Sequence, residues 1–409
     1  MIEWNEMHVA IREQVRRFVE SEIAPRREEL EFGDTPPYDV LRKMFDVFGM
    51  KDMALAQFQM RIAKEKARAE AGEPPKPRKP RGGPEALNEA AMRAIPVIEL
   101  CKYSPGMVTA LGVSVGLTAN AILARGTIAQ KERWAPALLT LEKIGAWAIT
   151  EPSSGSDAFG SMKATARRDG DGYVLNGQKT FITNGPFADT IVFICKLDDG
   201  SPPEQRKVLQ FVLDGDTPGL TRSKPLRKMG LHASPTGELF LQDVRVGRDR
   251  LLGETEEQPA RSAAKETFAA ERTGVAAMAL GIVERCLQLS IEYAKTRVQF
   301  GRPIGEFQLV QLKLAKMEVA RMNLQNLVFR QIELAGEGKD MTLAEASACK
   351  LYAAGAAVEV ALEAVQLFGG NGYMAEYQVE QLARDAKVLQ IYGGTDEIQT
   401  SQIARSLLA

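Results

Sequence analysis

The chain has 409 residues, more than one compact core sustains, so two or three domains are expected. Hydrophobic residues make up 45% and charged residues 26%, with a formal net charge of −1 and a pI near 6.3. That balance offers no global basic field of the kind that draws nucleic acid or an anionic membrane.

The N-terminal stretch MIEWNEMHVAIREQVRRFVE is charged and amphipathic, unlike a signal peptide. No uninterrupted apolar run approaches the roughly 20 residues of a spanning helix. A soluble, cytoplasmic protein with no membrane span is therefore expected. Apolar residues at three- and four-residue spacing predict helices over Val9–Ile23, Glu89–Leu100 and Val108–Leu123, making residues 1–146 an α-helical domain. Within it, residues 61–87 (RIAKEKARAEAGEPPKPRKPRGGPEAL) stand apart. Their first part is compatible with a charged helix, and Pro74 to Pro84 is not. The composition reads as a solvated basic linker, with a partner-binding arm as the alternative.

The stretch Gly112-Val-Ser-Val-Gly116 matches the G-x-S-x-G of serine hydrolases, but it lies inside a helical pattern, and His232 is the only histidine after it. The two glycines instead serve close helix packing or leave space for a ligand. With His8 and His232 the only histidines, and Cys101, Cys195, Cys286 and Cys349 forming no CxxC pair, no metal site is expected. Catalysis would rest on carboxylates, backbone groups or an organic cofactor.

From 147 to 250 the texture becomes that of a β domain. Tyr173-Val-Leu and Thr190–Cys195 read as strands, separated by turn signals at Asp169-Gly-Asp-Gly172 and Asn176-Gly177. The loop Trp147–Asp157 concentrates Thr150, Ser153, Ser154 and Ser156, which suits many neutral hydrogen bonds to an oxygen-rich ligand. Helical patterns return in 251–409, over Ser262–Arg297, Leu309–Leu334 and Leu343–Leu367. No G-x-G-x-x-G follows a strand. Phe368-Gly-Gly-Asn-Gly372 is either a helix stop or a place where backbone meets a phosphate or ring. Helices, a β insert and helices again make an α+β layout.

At this point the chain resembles the acyl-CoA dehydrogenase family over nearly its full length. The segments that carry the resemblance are WAITEPSSGSDA, LNGQKTFITNG, MGLHASPTGELFLQDVRV, RVQFGRPIGEFQ, QLFGGNGY and RDAKVLQIYGGTDEIQ. The resemblance implies an N-terminal helical domain, a central β-barrel-like domain and a C-terminal four-helix bundle. It also implies FAD, usually held with help from a second subunit in a homotetramer (a dimer of dimers), and an electron-transfer flavoprotein as acceptor. Carried over by position, Trp147, Ile149, Thr150, Ser156, Phe181, Ile182 and Thr183 line the flavin. Thr183 would bond near the reactive nitrogen, and Phe181 stands where tryptophan is frequent. Arg297, Phe300, Phe307, Gln308, Gln366, Phe368, Gly369 and Gly370 match contacts to the FAD of the adjoining subunit, and Thr395 and Glu397 the adenine side.

The family reaction takes a proton from the α carbon and a hydride from the β carbon of an acyl-CoA thioester, giving the trans-2-enoyl-CoA. Most members carry the glutamate base where this chain has Gly393. A minority branch, including isovaleryl-CoA and long-chain acyl-CoA dehydrogenases, carries it on the first long C-terminal helix, where this chain has Glu271. Val275, Met278 and Ile282 continue the face of Glu271 as apolar surface, and a glutamate facing that surface without a purpose is expensive. The alternative is a helix-start glutamate favoured by the helix dipole. By resemblance the N–H of Gly393 holds the thioester oxygen together with a flavin ribityl hydroxyl. Ser156, Phe268, Arg272, Tyr392 and Gly394 would line the substrate. Two further readings are a catalytically silent FAD-binding subunit of a hetero-oligomer and a flavin oxidase or monooxygenase on the same fold. Pro105–Thr109 supplies no arginine for a second substrate carboxylate, and the small residues Thr109, Ala110, Gly112 and Gly116 leave the acyl group open.

Overall fold

In the computed structural model, residues 3–409 are described except 34, 74–81 and 258–259; for 260–270 the backbone alone is described. The chain opens with α1 (Glu6–Phe18), whose first turn is capped by the Asn5 side chain accepting from His8 N. There follow α2 (Arg27–Phe32), α3 (Tyr38–Val47), α4 (Met50–Glu70) and α5 (Pro84–Cys101). The last enters on proline at a position where the missing N–H costs nothing. Next, α6 (Pro105–Leu111) runs through a π-helical segment, Gly112–Ala119, into α7 (Asn120–Arg125). The π segment replaces the regular helix that spacing predicted over Val108–Leu123; single π turns of this kind are frequent at functional sites. A Thr127/Gln130 capping box starts α8 (Ile128–Leu139).

Seven strands then form one sheet: β1 (Gly145–Ala148), β2 (Thr165–Asp169), β3 (Gly172–Thr183), β4 (Thr190–Leu197), β5 (Val208–Asp214), β6 (Leu220–Arg222) and β7 (Thr236–Val246). The order is β1-β4-β2-β3-β7-β6, with β5 on the far side of β4. Every residue of β4 is buried, because its alternate faces enter different cores. Ile191, Phe193 and Cys195 join the core inside the sheet, while Val192 and Ile194 pack with Trp134, Leu138 and Trp147 beneath α8 and the π segment. The Asp169–Gly172 turn joins β2 to β3 as expected, with Gly170 at φ +61. Asn176-Gly177 is not a turn between strands. It lies inside β3, where a register shift against β7 brings Gly177 onto Ala164, and a Cβ there would stand 2.6 Å from Ala164 Cβ.

The C-terminal part comprises α9 (Ala260–Thr296), a small hairpin β8 (Val298–Gln299) and β9 (Arg302–Pro303), α10 (Gln308–Gly336), α11 (Leu343–Phe368), α12 (Gln378–Lys387) and α13 (Asp396–Leu408). The first and last thirds of the chain share one core. Ile95, Ile98 and Cys101 of α5 interlock with Ile282, Val283 and Cys286 of α9 and with Ala353 and Ala357 of α11. This is the three-part helical, β and helical architecture that the resemblance implied.

Two expectations change. Residues 61–70 are the charged helix their composition allowed, the end of α4 rather than a linker, where Arg61 donates to Leu123 O and Glu65 pairs with both Arg61 and the buried Lys131. Pro84 itself is helical, and Gly83 N bonds Gly336 O, tying the start of α5 to the end of α10. The proline-rich centre of the 61–87 segment lies outside the described residues. Moreover, Pro105–Arg125, Glu271–Thr296 and Leu343–Tyr373 are long and apolar enough, by length and composition, to cross a membrane. None of them is an unbroken apolar run: small polar residues interrupt the first, and charged residues such as Glu284 and Lys350 interrupt the other two. The Glu271–Thr296 stretch is two-thirds buried against the rest of the chain (67% of its most apolar window).

Candidate active site

Glu271 lies well inside α9, which begins at Ala260, so a dipole at the helix start does not account for it. Val275, Met278 and Ile282 on its face are all buried. Its carboxyl faces the turn before α13: a Cβ built on Gly393 would stand 3.5 Å from Glu271 Cδ and 3.6 Å from Oε1. Part of Glu271 remains accessible, yet protein packs densely around the carboxyl. Burial raises its pKa to about 7, against the opposing pull of Arg272 and Lys350. Both cations are committed elsewhere. The Lys350 side chain is fully buried and pairs with Asp396 Oδ1 at 2.9 Å. Arg272 donates to Gly393 O and to Ser347 Oγ, both at 3.3 Å. They temper the carboxyl without neutralising it.

The turn itself is made of Gly393 at φ +62 and Gly394 at φ +94, conformations that side chains rarely adopt. Its carbonyl oxygens are held from one side. Gln399, buried on α13, donates from Nε2 to Gly394 O at 2.8 Å and to Gly393 O at 3.1 Å. In a trans peptide N–H and C=O point opposite ways, so the N–H groups of Gly394 and Thr395, which share these two peptides, face away from Gln399. Tyr392, just before the turn, directs its hydroxyl to Met278 Sδ at 3.2 Å. Burial and the Glu271 charge push its pKa up, so it stays neutral. The structure thus brings Glu271, Arg272, Tyr392, Gly393 and Gly394 together. The side chain of Phe268 lies outside the described residues.

A second group gathers on the sheet. Thr180 N bonds Thr150 O, joining β3 to the loop after β1. The register shift between Lys179 and Ile182 forms a bulge in β3 at this point. Phe181 sits in it at φ +56, and its ring is 69% exposed although it is aromatic; Ile182 next to it is buried. Beneath, Lys179 is fully buried and donates to Ile149 O at 2.9 Å and Glu151 Oε1 at 2.8 Å. Glu151 also accepts from Lys163 N and Ala164 N. This ion pair anchors the loop carrying Thr150 and Ser156. Trp147 and Ile149 are buried under it, whereas Ser156 is exposed and Thr183 half-buried.

A third group lies at the far end of α9. Tyr293 stacks on Phe368 with centroids 4.0 Å apart and accepts from Asn371 Nδ2, and Arg297 N bonds Tyr293 O. Phe300, 93% exposed, meets Phe307 edge-on. Gln308, Gln366, Gly369 and Gly370 are exposed as well. Phe368 ends α11 and Gly369 follows at φ +61, so the helix-stop reading holds. A Cβ added at Gly369 or Gly370 meets nothing within 4 Å. Thr395 caps α13 by accepting from Ile398 N, and Glu397 is exposed on its first turn.

The hydrolase motif fails on geometry. Ser114 is buried in the π segment and accepts from Gly145 N. His232 is occupied elsewhere, its Nδ1 2.7 Å from Glu31 O and its Nε2 2.8 Å from Lys228 O. Gly112 and Gly116 leave open space, since a Cβ at either meets nothing within 4 Å; close packing is not their reason. Among the described residues no group of three or more His, Cys, Asp or Glu side chains is arranged to hold a metal. Gln399, Ser347, Lys350 and Tyr293 escaped the sequence reading because each acts through another residue, and only contacts across the fold reveal that.

Known proteins resemble this chain over nearly its whole length. Family models described as the N-terminal, middle and C-terminal domains of acyl-CoA dehydrogenase match residues 77–142, 146–244 and 261–408. An acyl-CoA dehydrogenase of Bacillus subtilis (strain 168) is 38% identical over 98% of this chain and 97% of its own. The solved butyryl-CoA dehydrogenase of Megasphaera elsdenii superposes with a TM-score of 0.84 at 34% identity, covering all of both chains. A chain from a structure of the electron transferring flavoprotein of Acidaminococcus fermentans, described in terms of flavin-based electron bifurcation, gives 0.81 at 32% identity. It is covered over 99% of its length and covers all of this chain.

Proposed function

This chain belongs to the acyl-CoA dehydrogenase family and is an FAD-dependent acyl-CoA dehydrogenase, and we propose that Glu271 is the base that removes the substrate's α proton. The observation that carries the assignment is the buried Glu271 carboxyl, with its pKa of about 7, set against the Gly393–Gly394 turn. A carboxylate near its pKa at working pH combines a useful ionised fraction with enough basicity to take a weakly acidic C–H proton. As the α C–H bond breaks, its electron pair moves toward the thioester oxygen. The N–H of Gly393, for which no described residue provides an acceptor, is placed to meet the charge that develops there. A side chain at 393 would crowd the carboxyl now reaching in from α9.

The residues present fit a flavin. The bulge turns the Phe181 ring outward beside Ile182 and Thr183, Thr150 and Ser156 add neutral donors, and Gly369 and Gly370 are an open backbone cradle. Bound there, FAD supplies the acceptor for the β hydride. Trp147, Ile149, Thr150, Ser156, Phe181, Ile182 and Thr183 would hold it from one subunit. Arg297, Phe300, Phe307, Gln308, Gln366, Phe368, Gly369 and Gly370 would hold it from the next, with Thr395 and Glu397 at the adenine side. That division calls for an oligomer, a homotetramer in this reading. It is supported by the apolar side chains that α10 exposes: Leu309, Leu312, Val319 and Met322. An electron-transfer flavoprotein is the acceptor we assign, in keeping with the likeness to the Acidaminococcus structure.

Anaerobic titration of the purified flavoprotein with straight, branched, aromatic and polycyclic acyl-CoAs tests the reading. At least one acyl-CoA should bleach the flavin and leave the trans-2-enoyl-CoA. A flavin untouched by the whole panel would instead mean a silent subunit. Rapid oxygen uptake without a flavoprotein acceptor would mean an oxidase.

A further inference from the structure

We infer that Gln399 is a positioning residue for the reaction, fixing the Gly393–Gly394 turn so that its backbone amide meets the thioester oxygen. The inference rests on the assignment of Gly393 N–H to that oxygen. Gln399 is fully buried and spends both hydrogens of Nε2 on the two carbonyls of the turn, at 2.8 and 3.1 Å. Arg272 adds a third donor to Gly393 O. Three donors on two adjacent carbonyls hold the 393–394 and 394–395 peptide planes; Gly393 N–H lies in the plane just before them, joined to the first only through the two backbone torsions of Gly393, whose φ is +62.

Capping does not explain this side chain, because Thr395 already caps α13. Filling space does not explain it either. Gln399 Oε1 is buried and finds no donor among the described residues, a cost that an apolar side chain of the same length would not carry. The reversed amide would set Oε1 against two carbonyl oxygens, so the orientation is fixed by the bonds Nε2 makes. Gly394 is matched to it as well, since a Cβ there would come within 2.7 Å of Nε2.

The test compares the wild-type holoenzyme with Gln399→Met, which keeps the length and loses the donors, and with Gln399→Glu. Two quantities are read: the rate of anaerobic flavin bleaching by an acyl-CoA, and the ¹³C resonance of the thioester carbonyl in bound, carbonyl-labelled enoyl-CoA. Gln399→Met should slow bleaching about tenfold, less than outright loss of an oxyanion donor. Substrate affinity should change little, and the carbonyl resonance should move back toward its value in water. In Gln399→Glu the polarised resonance should survive at low pH, where the acid O–H donates, and fade as the carboxylate forms. Unchanged rate and unchanged resonance in Gln399→Met would overturn the inference. So would a Gln399→Glu resonance that does not respond to pH, should the methionine variant not fold. Failure of the underlying assignment looks different: the wild-type resonance would then match free enoyl-CoA.

Discussion

Glu271 carries a cost that makes its role measurable. Its folded pKa of about 7 lies above the ordinary 4.5, with burial as the leading cause. The folded state therefore favours the protonated form. Its contribution to stability is complete below about 4.5 and is lost as pH rises through about 7. Glu271→Gln removes that loss. The variant holoenzyme should melt above wild type at pH 8, and the gap should close by pH 5; equal melting curves at pH 8 would argue that the carboxyl is not buried. Activity should run the other way, rising through pH 7 as the base ionises. The glycines of the turn are equally specific. Gly394→Ala places a Cβ 2.7 Å from Gln399 Nε2 at a φ of +94, which should cost on the order of 1–3 kcal/mol. Thermal unfolding and the bleaching rate should both register it, and a variant as stable and as fast as wild type would contradict the strained turn.

The elements that carry the site differ in how much of them could be read in advance. Long periodic helices were legible: α9, α10 and α11 fall close to where spacing set them. So was the face of Glu271, since a helix repeats its environment every three to four residues. The β3 bulge was not. Asn176-Gly177 and Phe181 look like turn and strand residues, and the register shifts exist only because β7 and the loop after β1 pair with β3 as they do. The π segment was illegible for the same reason, its Ser114 being drawn to Gly145 N on the sheet. The Lys179–Glu151 pair also needed the fold, since its members come from separate segments and are buried only when these meet. Breaking such a pair leaves an uncompensated charge, so Lys179→Met should destabilise by about 3–5 kcal/mol. It should also release FAD more readily, because the loop bearing Thr150 and Ser156 loses its anchor. Calorimetry and flavin retention on gel filtration check this, and a variant holding FAD as tightly as wild type would separate the ion pair from the loop.

Taken together, the molecule divides one reaction between distant parts of its chain. In the proposed mechanism the base comes from α9, the oxyanion donor from the turn before α13, and the flavin-facing groups from the sheet. The shared helical core packs α5, α9 and α11 together, and Leu389 and Tyr392, which lead into the turn, pack on the same core. On the proposed assignment, the glycine at 393 and the glutamate at 271 are two halves of one arrangement. The most direct test mixes wild-type and Glu271→Gln holoenzyme anaerobically with an acyl-CoA that bleaches the wild-type flavin. The account predicts that the variant still binds the acyl-CoA, with bleaching slowed at least a hundredfold, the lower end of what a positioned base contributes. Bleaching of Glu271→Gln at the wild-type rate would contradict it.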